Sequence, residues 1–146
     1  MKINFTKKQF RLLLDIVYAA DMVINGCRLP DEEIKKYKDI QQYIYSFSKD
    51  FGYDNLIEYS RKYDMFFETK ELDESPINDL IDEYDNNMFW TLLASNLAER
   101  DIAKKLEGQE DVAHMEALGM VWGREEEYND EFYKNGLDNV KVDIKP

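Results

Sequence analysis

Ser75-Pro76-Ile77-Asn78-Asp79-Leu80-Ile81-Asp82-Glu83-Tyr84 decides the fold class of this chain. Ile77, Leu80, Ile81 and Tyr84 recur at i, i+3, i+4 and i+7, the spacing of one helical face, while Asp79, Asp82 and Glu83 fall on the other side with Asn86. Pro76 suits a first helical turn, where the amide it lacks would have no partner in any case. Asp85-Asn86-Asn87 either kinks the chain or caps another helix, and Met88-Phe89-Trp90-Thr91-Leu92-Leu93 follows. From Met88 to about Leu106 apolar residues occur almost all round, the pattern of a central helix packed on several sides.

The flanking segments are also mostly helical. Thr6 and Gln9 have the spacing of a capping box, and Phe5 and Phe10 that of a hydrophobic staple. Phe10, Leu13, Leu14, Val17 and Ile24 continue that helix until Asn25-Gly26 ends it. A second helix is expected to start near Leu29-Pro30-Asp31, to bury Ile34, Tyr37, Ile40 or Gln41, Ile44, Phe47 and Phe51, and to close at Gly52. Between Tyr53 and Asp73 the patterns are too short to separate: Leu56, Ile57 and Tyr59 suit a short helix, Met65 to Thr69 an extended segment.

A last helix is expected from about Gln109 to Asn135, with a break or a close helix approach at Gly119 and Gly123, and Gly136 terminates it. Val140, Val142 and Ile144 alternate as a short strand does. The expected fold is mainly α: a single compact domain over residues 1–146, with about five helices in a bundle or orthogonal array and minor β structure at the C-terminus.

Composition narrows the function classes. Charged residues are 34% of the 146, against about 25% in an ordinary domain, and the formal net charge is −12. Between Lys70 and Arg100 there is no Lys or Arg, yet the window holds Glu71, Asp73, Glu74, Asp79, Asp82, Glu83, Asp85 and Glu99. Such a charge repels nucleic acid and anionic lipid over roughly 8 Å at physiological salt. The basic groups Lys2, Lys7, Lys8 and Arg11, and Lys35, Lys36 and Lys38 behind Asp31, Glu32 and Glu33, make a poor phosphate-binding surface, so direct nucleic-acid binding is not expected.

Cys27 is the one cysteine, which excludes an intramolecular disulfide and a multi-cysteine zinc site. It reads as a small buried or half-buried thiol in a reducing cytoplasm. Lys7-Lys8 before Phe10 to Ala20 faintly imitates a secretion signal, but Arg11 and Asp15 interrupt the apolar run. No run approaches the ~18 apolar residues of a membrane span, so a cytoplasmic protein without membrane contact is expected.

Two segments carry a resemblance. Asp82-Glu83-Tyr84-Asp85-Asn86-Asn87-Met88-Phe89-Trp90, continuing to Leu97-Ala98-Glu99-Arg100-Asp101, and the tail from Glu127 to Leu137 are similar to a family of small acidic bacterial proteins with no known function. The likeness covers about a third of the chain and implies no catalytic residue.

Chemistry-bearing groupings are few. Asp111 and His114 lie three apart on an expected helix and can face one metal, but a di-iron bundle needs a second such pair that a single histidine cannot supply. A mononuclear set would join Asp111 and His114 to carboxylates from the helix that Ser75-Pro76 opens, or to Glu125. His114, Leu118, Val121, Glu125, Tyr128 and Phe132 share one stripe, which places Glu125 on a mostly apolar face. Glu125 then either pairs with Arg100 or a tyrosine hydroxyl, carries a raised pKa suited to a general base, or keeps its head in water at the stripe's edge. Glu125-Glu126-Glu127 with Asp130 and Glu131, matched to Asp79, Asp82 and Glu83, would suit magnesium in the manner of nucleotide pyrophosphohydrolases.

The leading expectation is a non-enzymatic intracellular interaction or regulatory protein. Asp79, Asp82, Glu83 and Tyr84 would present an acidic, tyrosine-bearing face to a basic protein partner, such as a nucleic-acid-binding protein or a toxin. Ten tyrosines, Tyr43, Tyr45, Tyr59 and Tyr84 among them, exceed what a core this size needs. No cofactor is called for. The alternative is a magnesium- or manganese-dependent nucleotide or phosphoester hydrolase using carboxylates on facing helices.

Overall fold

The computed structural model describes residues 2–109 and 112–142. The fold is mainly helical, 63%, with five helices and one two-stranded sheet among the described residues. The chain divides into two compact units, Met1–Asp82 and Glu83–Pro146.

Unit one begins with α1 (Lys7–Asn25), and its expected capping box forms: Gln9 N–H donates to Thr6 Oγ1 at 3.3 Å while Gln9 Oε1 accepts from Thr6 N at 2.9 Å. Two otherwise unsatisfied amides are thereby satisfied. Phe10 enters the core and stacks on Phe51, ring centroids 4.0 Å apart, whereas Phe5 stays exposed. Phe10, Leu14, Tyr45, Leu56, Ile57 and Leu72 form the core.

The second helix, α2, spans Lys35–Tyr45, shorter at both ends than its apolar pattern. Pro30, Asp31 and Glu32, expected in its first turn, form a separate turn instead, with Glu32 N bonded to Leu29 O at 2.8 Å. Asn25, read from sequence as a helix stop, is buried and reaches forward: its Oδ1 accepts from Ile34 N at 2.9 Å. After Tyr45 the chain turns repeatedly until Gly52, whose φ of 72° suits glycine.

The segment that sequence leaves ambiguous is a hairpin. β1 (Ile57–Ser60) pairs antiparallel with β2 (Met65–Glu68), Ile57 opposite Glu68, and Asp64 takes the positive φ of the turn. Gln42 of α2 extends the ladder: Phe66 N donates to its Oε1 at 2.7 Å and its Nε2 donates to Phe66 O at 2.9 Å. A side-chain amide thus occupies the backbone groups that an edge strand leaves open. α3 (Lys70–Asp73) follows, and α4 (Pro76–Leu106) opens in this unit, where Tyr18 Oη donates to Asn78 Oδ1 at 3.1 Å.

A buried polar knot joins three of these elements. Tyr45 Oη donates to Glu68 Oε1 at 2.8 Å, and Gln41 Nε2 donates to Glu68 Oε1 at 3.2 Å and to Asp21 Oδ2 at 3.0 Å. Lys38 Nζ pairs with the same Asp21 oxygen at 3.0 Å. Of the two residues that competed for the buried face of α2, Gln41 is 1% exposed and Ile40 is 51% exposed.

Unit two holds the rest of α4 and α5 (His114–Asn135). Trp90 meets Phe132, ring centroids 5.5 Å apart, and Asp101 meets Arg124, so the two helices pair in opposite directions. The expectation of a helix packed on several sides is corrected: α4 buries only Ala94, Ala98 and Ile102, four residues apart, and Phe89 and Leu92 are exposed. Within its unit, α5 is the one other helix among the described residues available to cover it. α5 runs unbroken through Gly119 and Gly123, and a Cβ at either would touch nothing, so neither break nor close approach occurs there.

Minor β structure lies in the hairpin rather than at the C-terminus: Val140 to Val142 form no strand, and Ile144 lies outside the described residues. Cys27 is exposed rather than buried, in the turn after α1. No helix among the described residues is long and apolar enough to cross a membrane.

Burial, then the charge of Glu68, holds the Tyr45 phenol far above its ordinary range. Unfolded tyrosine titrates near 10, so the stability this group contributes is present below about pH 10 and is lost as pH rises above it. Tyr45→Phe is expected to cost about 1–3 kcal/mol in urea unfolding at pH 7, because Glu68 loses a buried donor. The variant should also lose part of the alkaline fall in Tm between pH 9 and about 11, measured by circular dichroism.

Candidate functional site

The four residues expected to form the acidic, tyrosine-bearing face, Asp79, Asp82, Glu83 and Tyr84, all lie on α4. Ser75 leads into the helix, with Asn78 N bonded to Ser75 O at 3.0 Å. The acids of the opening turns are favoured by the partial positive charge of a helix start. Asp79, Asp82, Glu83 and Asp85 are all exposed, and no ion pair among the described residues involves any of them.

The expected inward face is only half realised. Ile77 and Ile81 are at least partly covered, but Leu80 is 61% and Tyr84 58% exposed. Leu80 and Tyr84, one turn apart, therefore stand beside Asp79 and Glu83, also one turn apart, on neighbouring lines of the helix. The surface is a helical face bearing fixed negative charge, an aliphatic side chain and an aromatic ring. Tyr43 and Tyr59 are exposed as well, but Tyr45 is fully buried.

In unit two the expected stripe is present: Phe132 is buried and Leu118, Val121, Glu125 and Tyr128 are half-buried, while His114 at its start is exposed. Glu125 makes no ion pair or side-chain hydrogen bond among the described residues, and its expected partner Arg100 bonds elsewhere. Asp101 is the acid that gathers partners. It accepts from Tyr128 Oη at 2.6 Å, from Arg100 Nη2 at 2.7 Å and from Arg124 Nη2 at 3.0 Å. Arg124 in turn pairs with Glu127 at 2.6 Å and lies over the Tyr128 ring, 4.7 Å from its centroid.

The Tyr128 hydroxyl, then Arg100, hold the Asp101 carboxyl well below the usual carboxylate range, and Glu127 and Asp101 raise Arg124. Sequence reading missed Asp101 because its partners on α5 lie 23 and 27 residues away. The i, i+4 spacing of Arg124 and Tyr128 was the available signal.

Among the described residues no group of three or more His, Cys, Asp or Glu side chains is placed to hold a metal ion. Asp111 lies outside the described residues, so the Asp111–His114 pairing is not placed. Lys35 pairs with Asp39 and Lys38 with Asp21, so two cations of the second basic group are already engaged by acids.

Asp101, with its folded pKa depressed, contributes stability that is present above its unfolded value of about 4 and is lost as pH falls through the folded one. Asp101→Asn is therefore expected to lower Tm at pH 7 and to flatten the loss of Tm between about pH 4 and pH 2, followed by scanning calorimetry.

No protein-family model, curated protein or solved structure matches this chain.

Proposed function

We propose that the protein is an intracellular interaction or regulatory protein that docks a basic protein partner on the acidic face of α4. The observation that carries this reading is the set Asp79, Asp82, Glu83 and Asp85, at the surface and without an ion pair among the described residues, beside exposed Leu80 and Tyr84. Surface carboxylates keep much of their hydration, so their main contribution is to attract and orient an oppositely charged surface over about a Debye length. The tyrosine ring and the leucine supply the apolar contact area that charge alone does not. A partner segment carrying lysines or arginines beside one or two apolar anchors matches both features.

Asp79→Asn, Asp82→Asn and Glu83→Gln together are expected to weaken partner binding by about tenfold, as three exposed charge contacts would. Circular dichroism should show the helix content unchanged, because none of the three is buried. Partner recovery by pull-down should fall steeply as salt is raised, and replacing Tyr84 with Ala should weaken binding without altering the salt dependence. Equal recovery by the wild type and the triple variant at low salt would refute the reading.

A further inference from the structure

The buried knot of unit one does more than join helices: it fixes a carboxylate at the wall of a cavity. Tyr18, Asp21, Asn25, Arg28, Lys38 and Glu68 line an open cavity of about 310 Å³, with Glu33 at its side. Glu68, half-buried, is held by two side chains with almost no exposure, Tyr45 at 2.8 Å and Gln41 at 3.2 Å. Both are neutral donors. Lys38 compensates Asp21, whereas no Lys or Arg among the described residues pairs with Glu68.

The Gln41 amide lies between the two acids, its Nε2 within bonding distance of both Asp21 and Glu68. Turning the amide over would face its oxygen against two carboxylates, so the donor orientation is set by charge. The cost is visible: Gln41 Oε1 is buried without a hydrogen-bond partner. Tyr18, on the same wall, has its phenol pushed up first by burial, with smaller contributions from the charges of Asp73 and Glu68.

We infer that this cavity binds an organic cation, an alkylammonium group, with Glu68 as its counter-ion and the Tyr18 and Asn25 side chains beside it. A rigid carboxylate held by neutral donors is already positioned before the ligand arrives, so little ordering is lost on binding. The ammonium completes the charge that Tyr45 and Gln41 leave uncompensated, through a charge-assisted hydrogen bond. The group can come from a free amine or from the end of a lysine side chain. This inference stands apart from the α4 face, since it uses none of Asp79, Asp82, Glu83 or Tyr84.

Titration of the full chain with n-butylammonium, and separately with N-acetyl-lysine N-methylamide, tests it by two-dimensional amide NMR. Saturable shifts of the Gln41 side-chain amide are expected, with a dissociation constant on the order of millimolar. Saturation by n-butylammonium assigns the site to free amines as well, and saturation by the lysine amide alone assigns it to a lysine side chain. Glu68→Gln should weaken binding by about tenfold, the loss of one charge-assisted bond. Arg28, an exposed cation in the cavity lining, provides a second variant that spares the core: Arg28→Ala should tighten binding of either cation. Absence of saturation by both cations, unchanged affinity in a folded Glu68→Gln, or weaker binding in Arg28→Ala would overturn the inference.

Discussion

The hydrogen bond from Tyr45 to Glu68 is the constraint on which unit one depends. Tyr45 belongs to α2 and Glu68 to β2, and the nearby Gln41, one helical turn earlier, carries the same knot to Asp21 on α1. A carboxylate drawn partly out of water is costly unless its oxygens are occupied, so each of these groups needs the others in place. Gln42, next along α2, binds the backbone of Phe66 two residues before Glu68. One helix thus holds the short hairpin both by a side chain and by its main chain. An isolated two-stranded hairpin is marginal in water, and this double grip is what lets two four-residue strands stand as a sheet.

Unit two is built on a different balance. Its helices meet through two alanines, Ile102 and Phe132, a small buried set, and through the polar contacts that converge on Asp101. Ala94 and Ala98 are buried but contribute little area each. Asp101, with three donors, supplies the orientation that so small an apolar contact leaves loose. Phe89, Leu92, Met115 and Trp122 remain exposed.

The acidity of the chain is therefore not of one kind. Asp15, Asp21, Asp39 and Asp101 are each paired with a cation and act within the fold. Glu68 is held by neutral donors at a cavity wall, and Asp79, Asp82, Glu83 and Asp85 lie at the surface without an ion pair among the described residues. Of these three groups, the last two carry charge that no cation among the described residues pairs with, and the functional readings rest on them.

The sequence by itself determined what local spacing can determine. Thr6 and Gln9 placed the start of α1, Gly136 the end of α5, and the stripe from Leu118 to Phe132 the covered side of α5, because caps and a 3.6-residue period are properties of neighbours along the chain. The surface acids on α4 were legible for the same reason. Tertiary structure alone decided that Ile57 to Glu68 pairs as a hairpin, that Gln41 rather than Ile40 is buried, and that Asp101 rather than Glu125 gathers partners. In each case the deciding group lies some 20 residues or more away, Asp21 for Gln41, Gln42 for Phe66, Tyr128 for Asp101. A hydrogen bond that costs nothing to leave in water becomes decisive only when distant segments have enclosed it, and no local pattern records which segments will.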